Sequence, residues 1–238
     1  MTQPLADRIA LVTGASRGIG AVTAVALARA GAHVVLVGRT EGGLTHAEEQ
    51  IHAAGGSATI VPMDITQGEH VDQLAAHVAE RWGRLDILVM NAAVLGPLSP
   101  LSHVPPKDWD QVIATNLTAG YRLIRDFDAL LRASPAGRVV ALTSSVATRP
   151  RAYWGPYAAS KAGLETMLDC YAEEVARLTS VRVAIVNPGA TRTAMRKDAF
   201  PGEDPATLKP AAVVADAITD LLVRDFETGH RLDLGQKA

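Results

Sequence analysis

The amino-acid sequence predicts an α/β fold in which helices cover both faces of a doubly wound parallel sheet of about seven strands. Short runs rich in Val, Ile and Leu alternate with longer helical segments along the whole chain. Several of these runs are almost entirely apolar, as strands are where helices cover both faces of a parallel sheet. The 238 residues suit one domain of this kind, so residues 1–238 are predicted to form a single domain.

The individual elements follow from the same signals. Seven runs are predicted as strands, at residues 8–13, 33–38, 58–62, 85–90, 138–144, 181–186 and 230–234. After Trp109 apolar side chains recur every three or four residues, which predicts one long helix over residues 107–133. A second long helix is predicted over residues 156–179. Three stretches that contain proline are predicted as loops, at residues 96–106, 149–156 and 200–210.

Composition and charge argue against several classes of protein. The net charge is -2 and the 23 basic residues are scattered, so the chain lacks the electrostatic footprint of a DNA- or RNA-binding protein. Its apolar stretches are far shorter than the roughly 18–20 residues that a membrane-spanning helix needs. Residues 1–13 place Asp7 and Arg8 before a short apolar run, unlike a secretory signal. We therefore expect no nucleic-acid or membrane partner and a cytoplasmic location.

Cysteine and histidine usage gives no sign of a metal site. The single cysteine, Cys170, excludes an internal disulfide framework and is predicted to be a small buried or half-buried helix residue. The seven histidines form no HExxH motif, and no pair of them has an acidic partner at ligand spacing. We therefore predict that the protein holds no metal.

A glycine-rich turn, TGASRGIG, follows the first predicted strand and opens a helix. Glycine lets the backbone approach a pyrophosphate, and the helix start adds N–H groups and the positive end of its dipole. This pattern is typical of a Rossmann-type dinucleotide site. The predicted contacts are Gly14, Ser16, Arg17, Gly18, Ile19 and Gly20. The alternative is that the glycines only permit tight packing of helix against strand.

The end of the second predicted strand indicates which dinucleotide is bound. NAD-selective sites place an acidic residue there to bind the ribose 2′-hydroxyl, whereas this chain has Gly38 followed by Arg39. Arg39 and Arg17 together suit a 2′-phosphate, because arginine is always charged and binds phosphate bidentately. We predict that NADP(H) is preferred and that NAD(H) is possible. In the alternative, Arg39 is a solvated loop residue and Glu41 binds the 2′-hydroxyl.

Five motifs stand in a fixed order along the chain: TGASRGIG, MNAAV, LTSS, YAASK and NPG. In these motifs the sequence resembles the short-chain dehydrogenase/reductase family, in its compact single-domain branch, over essentially the full chain. The resemblance implies a Ser-Tyr-Lys-Asn catalytic set at Ser144, Tyr157, Lys161 and Asn116, with Ser145 as the alternative serine. It also implies that Tyr157 and Lys161 contact the cofactor. Further cofactor contacts are implied at Asp64, Ile65, Asn91, Pro188, Gly189, Thr191 and Thr193.

The spacing of Tyr157 and Lys161 has a chemical interpretation of its own. Pro156 is predicted at the first helical position, so Tyr157 and Lys161 share one face of the helix, four residues apart. A nearby ammonium contributes on the order of 4 kcal/mol, enough to lower the tyrosine pKa from about 10 into a useful range. The intervening small residues, Ala158, Ala159 and Ser160, are expected to leave room for cofactor and substrate.

Together these features predict an NADP(H)-dependent oxidoreductase that transfers a hydride between nicotinamide and a carbonyl or alcohol substrate. Tyr157 would transfer the proton, Ser144 would stabilise charge on the substrate oxygen, and Asn116 would anchor a relay water. One alternative is a catalytically silent dinucleotide-sensing protein, and another is an enoyl reductase. The family resemblance also implies a homodimer or homotetramer.

The sequence leaves the substrate undetermined. Substrate choice is expected to depend on three loops at residues 94–104, 148–154 and 190–210, the last of which is a candidate mobile lid. Arg149, Arg151, Tyr153 and Trp154 lie just before Tyr157 and would suit an acidic or aromatic substrate. In the alternative, the arginines lie at a solvated rim and the aromatic side chains pack in a subunit contact.

Overall fold

The computed structural model describes residues 3–235, and their seven strands form one parallel sheet. The strands are β1 (Ile9–Thr13), β2 (His33–Gly38), β3 (Ser57–Pro62), β4 (Ile87–Met90), β5 (Arg138–Leu142), β6 (Arg182–Asn187) and β7 (His230–Asp233). Their order across the sheet is β3-β2-β1-β4-β5-β6-β7, and every neighbouring pair is parallel. The predicted Rossmann-type fold is confirmed.

Helices occupy both faces of this sheet. They are α1 (Gly18–Arg29), α2 (Glu41–Ala53), α3 (Gly68–Trp82), α4 (Pro106–Ile113), α5 (Ala119–Ala133), α6 (Gly155–Ala176), α7 (Ala194–Ala199) and α8 (Ala211–Val223). The helix predicted over residues 107–133 is interrupted, because a π-helical turn at Ala114–Thr118 separates α4 from α5. Helix α6 begins one residue earlier than predicted, so Pro156 occupies its second position.

Alternate residues of the central strands serve two separate cores. Leu11 of β1 and Leu88 of β4 pack with apolar side chains of α3, α5 and α6. Val12 and Val89, the next residue of each strand, pack on the opposite face with side chains of α1, α2 and α8. All four are fully buried, and burying such a side chain contributes about 1.5–3 kcal/mol. This two-sided burial explains why these strands are apolar at every position.

Asp86 fixes the amino-terminal edge of the sheet. Its carboxylate is fully buried and accepts hydrogen bonds from the Ile9 amide at 2.8 Å and the Ser134 hydroxyl at 2.5 Å. Arg84 and Arg8 complete its surroundings, with N–O distances of 3.2 Å and 3.4 Å. The network therefore joins β1, the start of β4 and the end of α5 at the edge opposite the cleft described below.

One expectation about the surface is wrong. Cys170 lies on α6 as predicted, but its side chain is exposed. The buried face of that helix is formed by Leu164, Leu168, Ala172 and Val175, and Cys170 falls outside it. None of the helices among residues 3–235 is long and apolar enough to cross a membrane.

Candidate active site

A cleft of about 1050 Å³ opens at the carboxyl ends of the strands. It lies where the strand order reverses between β1 and β4, which is where ligands bind in doubly wound sheets. Most of the predicted site residues line it: Gly14, Ser16, Arg17, Gly18, Ile19, Arg39, Asp64, Ile65, Asn91, Ser144, Tyr157, Lys161, Pro188, Gly189, Thr191 and Thr193. Two predicted residues, Gly20 and Asn116, are not part of its wall.

Backbone conformation and close packing explain the three glycines of the TGASRGIG turn. Gly14 and Gly18 have φ values of +67° and +60°, in the left-handed region that favours glycine. A Cβ on Gly18 would meet only a methyl group of Thr193 at 3.7 Å, so this residue borders open space in the cleft. A Cβ on Gly20 would stand 2.3 Å from the Gly14 carbonyl oxygen. Gly20 therefore serves the packing of α1 against the turn.

Asn91 braces the turn from the neighbouring strand. Its side-chain amide donates hydrogen bonds to the carbonyl oxygens of Thr13, at 2.9 Å, and Gly14, at 3.2 Å. Its own backbone N–H donates to the Thr13 hydroxyl at 3.1 Å. These bonds hold the ends of β1 and β4 together at the point where the strand order reverses and the cleft opens.

Two guanidiniums lie at the outer end of the cleft beyond β2. Arg17 and Arg39 both line it and are exposed, and among residues 3–235 neither forms an ion pair. Glu41, the alternative ligand for a ribose hydroxyl, is not part of the cleft wall. The Asp64 carboxylate, also in the cleft wall, accepts hydrogen bonds from the Thr66 amide and hydroxyl, both at 2.9 Å. Because the two guanidiniums have no ion-pair partner within the described chain, this end of the cleft is suited to an anion.

Tyr157 and Lys161 lie one turn apart on α6 and are almost fully buried, with 7% and 2% of their surfaces exposed. The Lys161 Nζ lies 5.9 Å from the centroid of the Tyr157 ring. The same Nζ donates a 2.7 Å hydrogen bond to the Leu142 carbonyl oxygen at the end of β5. The lysine is therefore anchored to the sheet as well as to its helix.

Burial controls the acid strength of both groups. It lowers the pKa of Lys161 to about 8, although the Glu165 carboxylate one turn further along α6 opposes that change. Burial raises the pKa of Tyr157 to about 12, which is opposite to the direction expected from the lysine charge. Burial alone accounts for this rise, and with a pKa of about 12 Tyr157 retains its proton at neutral pH.

Ser144 and Ser145 follow β5 and both line the cleft. Ser144 is half-buried, and its Oγ accepts a 3.4 Å hydrogen bond from the Val146 amide, capping a short helical turn. Ser145 is exposed. The capping contact gives Ser144 the more defined position of the two.

Asn116 lies behind the cleft, in the π-helical turn. Its Oδ1 accepts from the Val94 amide at 2.8 Å, and its Nδ2 donates to the Val94 carbonyl at 2.9 Å and to the Ser160 hydroxyl at 3.0 Å. Both N–H donors of the side chain are used. The side chain therefore ties the segment after β4 to α6, and the role of Asn116 in anchoring a relay water stays a prediction.

The small residues of the YAASK motif lie elsewhere than expected. Ala158, Ala159 and Ser160 are not among the residues that line the cleft. The buried Ser160 hydroxyl donates to the Tyr157 carbonyl oxygen at 2.8 Å and accepts from Asn116. It therefore helps to position the helix turn that carries Tyr157.

Sequence reasoning missed a charged network next to the catalytic set. The Glu165 carboxylate is 7% exposed, accepts a hydrogen bond from Thr143 and pairs with Arg231 of β7 at 2.6 Å. Arg231 also pairs with Asp169 at 2.7 Å. The available signal was spacing, since Glu165 follows Tyr157 and Lys161 at intervals of four on the same helix face.

All three predicted substrate loops contribute to the cleft wall, and one residue of each packs against the cluster that contains Tyr157, at the inner end of the cleft: Leu95, Trp154 and Met195. Their lining residues are Val94, Leu95, Gly96, Thr148, Arg149, Arg151, Trp154, Ala190, Thr191, Thr193, Ala194, Met195, Arg196, Asp198, Ala199 and Phe200. Among residues 3–235 no group of three or more His, Cys, Asp or Glu side chains is arranged to hold a metal ion.

Comparison with known proteins points to one family. The family model of the short chain dehydrogenases matches residues 8–204. The oxidoreductase YciK of Escherichia coli K12, itself described as uncharacterized, is 42% identical over 87% of this chain and 83% of its own length. A short chain dehydrogenase structure from Escherichia coli CFT073, complexed with NADPH, is 40% identical with a TM-score of 0.91 over 100% of both chains. Another from Shigella flexneri, complexed with NADP, is 39% identical with a TM-score of 0.91, covering 98% of this chain and 99% of that one.

Proposed function

Since the chain belongs to the short-chain dehydrogenase/reductase family and is an NAD(P)-dependent oxidoreductase, we propose that it transfers a hydride between NADP(H) and a carbonyl or alcohol substrate. The observation that carries this proposal is that Ser144, Tyr157 and Lys161 line the same cleft as the glycine-rich turn. A protein that only sensed dinucleotides would have no need for a buried tyrosine and lysine at that position.

The residues present fit a dinucleotide. The open space at Gly18 and the start of α1 suit a pyrophosphate, because backbone N–H groups and the helix dipole are available there. Arg17 and Arg39 would hold the 2′-phosphate that distinguishes NADP(H) from NAD(H). The NADP and NADPH complexes of the Shigella and Escherichia relatives support this choice.

The bound nicotinamide would supply or accept the hydride, and the protein's own residues would handle the proton. Because the pKa of Tyr157 is about 12, its hydroxyl is protonated at neutral pH and acts as the acid when a carbonyl is reduced. Ser144 would donate a hydrogen bond to the same oxygen and stabilise its growing negative charge. Lys161 keeps further donors besides the one given to Leu142, and its charge would favour the phenolate that forms on proton transfer.

Steady-state measurement of NADPH oxidation tests this function. A panel of ketones, aldehydes and enoyl thioesters should show turnover with carbonyl compounds and none at the carbon–carbon double bond. Reduction of enoyl thioesters alone would make the protein an enoyl reductase, and tight NADPH binding with no turnover on any compound would favour a sensing protein.

We further propose that the protein forms a homodimer or homotetramer. Tyr121 on α5 and Trp109 on α4 expose 53% and 37% of their surfaces, and aromatic side chains are enriched at subunit contacts. Light scattering on the purified protein would test this, and a monomer at micromolar concentration would contradict it. The cytoplasmic location stays a prediction from the sequence.

A further inference from the structure

We propose that the substrate is a planar apolar carbonyl compound that carries a carboxylate, and that Arg149 and Arg151 bind this carboxylate. The inference rests on the proposed function, because it assigns the inner end of the same cleft to the substrate. In this proposal the two arginines at the rim of the cleft bind the substrate and do not merely face solvent or pack in a subunit contact.

An aromatic wall stands beside the catalytic tyrosine. The ring of Trp154 meets the Tyr157 ring edge-on, with centroids 5.9 Å apart and planes inclined at 71°. The ring centroid of Trp154 also lies 5.7 Å from that of Phe200, with the planes inclined at 35°. Leu95 and Met195 pack against the buried cluster that contains Tyr157. A flat, apolar body next to the Tyr157 hydroxyl would be surrounded by such side chains on several sides.

Arg149 and Arg151 add charge to this apolar wall. Both line the cleft and are exposed, and within the part of the chain that the structure describes neither forms an ion pair. Their backbones are held in place, since the Arg149 amide donates to Ser145 at 2.9 Å and the Arg151 carbonyl accepts from Trp154 at 3.3 Å. Two arginines with fixed backbones and uncompensated guanidiniums thus line the same cleft as the catalytic tyrosine.

Arg196 lines the same cleft but, unlike Arg149 and Arg151, has a carboxylate partner. Its guanidinium makes two hydrogen bonds of 2.5 Å to the Glu203 carboxylate and lies 3.8 Å from the centroid of the Phe200 ring. Its charge is therefore already compensated. Besides Asp64, the described cleft wall holds two carboxylates, Asp198 from the lid segment, residues 190–210, and Asp233 from β7. Asp233 already accepts hydrogen bonds from Asn187 and the Gly235 amide, so the two rim arginines outnumber the one remaining carboxylate, Asp198. The uncompensated charge at this end favours an anionic ligand.

The chain segment that joins the arginines to the aromatic wall is held in an unusual conformation. Tyr153 has a φ of +74°, a region that costs a bulky residue on the order of 1–3 kcal/mol. This turn stands between Arg151 and Trp154 and brings both onto the cleft wall. The planar guanidinium of an arginine held here can donate two parallel hydrogen bonds to the two oxygens of a carboxylate, which a single solvated cation cannot do.

The test compares 4-formylbenzoate with its methyl ester, which keeps the planar aldehyde but lacks the charge. With saturating NADPH we expect kcat/KM for the acid to exceed that for the ester by about tenfold or more. The double variant Arg149→Gln/Arg151→Gln should remove this preference, because KM for the acid rises by about tenfold more than KM for the ester. Arg177→Gln, an exposed arginine at the end of α6, is the matched control and should keep the preference.

Calorimetric titration of the NADPH-saturated protein with benzoate and methyl benzoate separates the two proposals. Salt-sensitive binding of benzoate that the double variant loses would support the carboxylate site even if neither aldehyde were reduced, and in that case only the proposed reaction would fail. Equal turnover of acid and ester by the wild-type protein would overturn the carboxylate site and leave the proposed reaction standing. A double variant that retained the preference for the acid would overturn the carboxylate site as well.

Discussion

Thr143 donates a 2.5 Å hydrogen bond to Glu165, which joins the residue before Ser144 to the helix turn that follows Lys161. Arg231 of β7 holds the other oxygen of the same carboxylate at 2.6 Å. One buried carboxylate thus connects β5, α6 and β7 directly behind the catalytic residues. Its charge also acts on Lys161, because it opposes the lowering of the lysine pKa by burial.

Replacing Glu165 by Gln should shift the pH profile of the reaction. The charged form of Lys161 is lost as the pH rises through its pKa of about 8. Without the carboxylate that pKa falls further, so kcat should decline at a lower pH than in the wild-type protein. A kcat-against-pH series measures the shift, and Glu173→Gln, an exposed residue on the same helix, is the control. An unchanged profile in Glu165→Gln would show that the carboxylate has only a structural role.

Arg39→Ala should weaken the preference for NADPH. The variant loses one guanidinium that we assign to the 2′-phosphate, and a charge-assisted hydrogen bond of this kind is worth about 1.5–3 kcal/mol. KM for NADPH should therefore rise by about ten- to a hundredfold, while KM for NADH changes little. Arg29→Ala, an exposed arginine in the last turn of α1, should change neither constant. A parallel rise in both constants would show that Arg39 does not read the 2′-phosphate.

Gly20→Ala should damage cofactor binding although Gly20 does not line the cleft. The added Cβ would stand 2.3 Å from the Gly14 carbonyl oxygen and 2.3 Å from the Asn91 side-chain nitrogen, so the turn or the helix must move. We expect both a lower free energy of unfolding and a higher Kd for NADPH. In Gly42→Ala the new Cβ meets nothing within 4 Å, so this variant of α2 should keep its affinity for NADPH. Wild-type affinity in Gly20→Ala would contradict the packing role.

Asp86→Ala should destabilise the fold without changing the chemistry. The substitution leaves Ser134 and the Ile9 amide without their buried acceptor, and breaking such a network costs about 3–5 kcal/mol. Urea denaturation should show that loss in the free energy of unfolding, while KM for NADPH at low temperature stays near its wild-type value. Asp216→Ala on the exposed side of α8 is the matched control. A loss below about 1 kcal/mol would show that the network contributes little to stability.

The strands could be predicted from the sequence because a strand that is buried on both faces is apolar at successive positions. Apolar runs such as the one that became β1 can satisfy both cores only in a covered parallel sheet. The glycine-rich turn and the intervals on α6 located the cleft for the same reason, since backbone approach and a shared helix face are properties of local sequence.

The contacts that the sequence could not predict depend on distant segments. The bonds of Asn116 to Val94 and Ser160 span 22 and 44 residues. The raised pKa of Tyr157 reflects burial by surrounding elements, and spacing from Lys161 does not encode it. Likewise, nothing near Glu165 in the sequence indicates that Arg231 lies beside it.

The central claim is that Tyr157 transfers the proton, and Tyr157→Phe tests it most directly. The measurement is kcat for reduction of the best carbonyl substrate, taken together with the Kd for NADPH. Loss of at least about a hundredfold in kcat with the Kd nearly unchanged is the predicted result, because the variant removes the acid and leaves the aromatic packing. A kcat within a few-fold of wild type would contradict the assignment of Tyr157 as the acid.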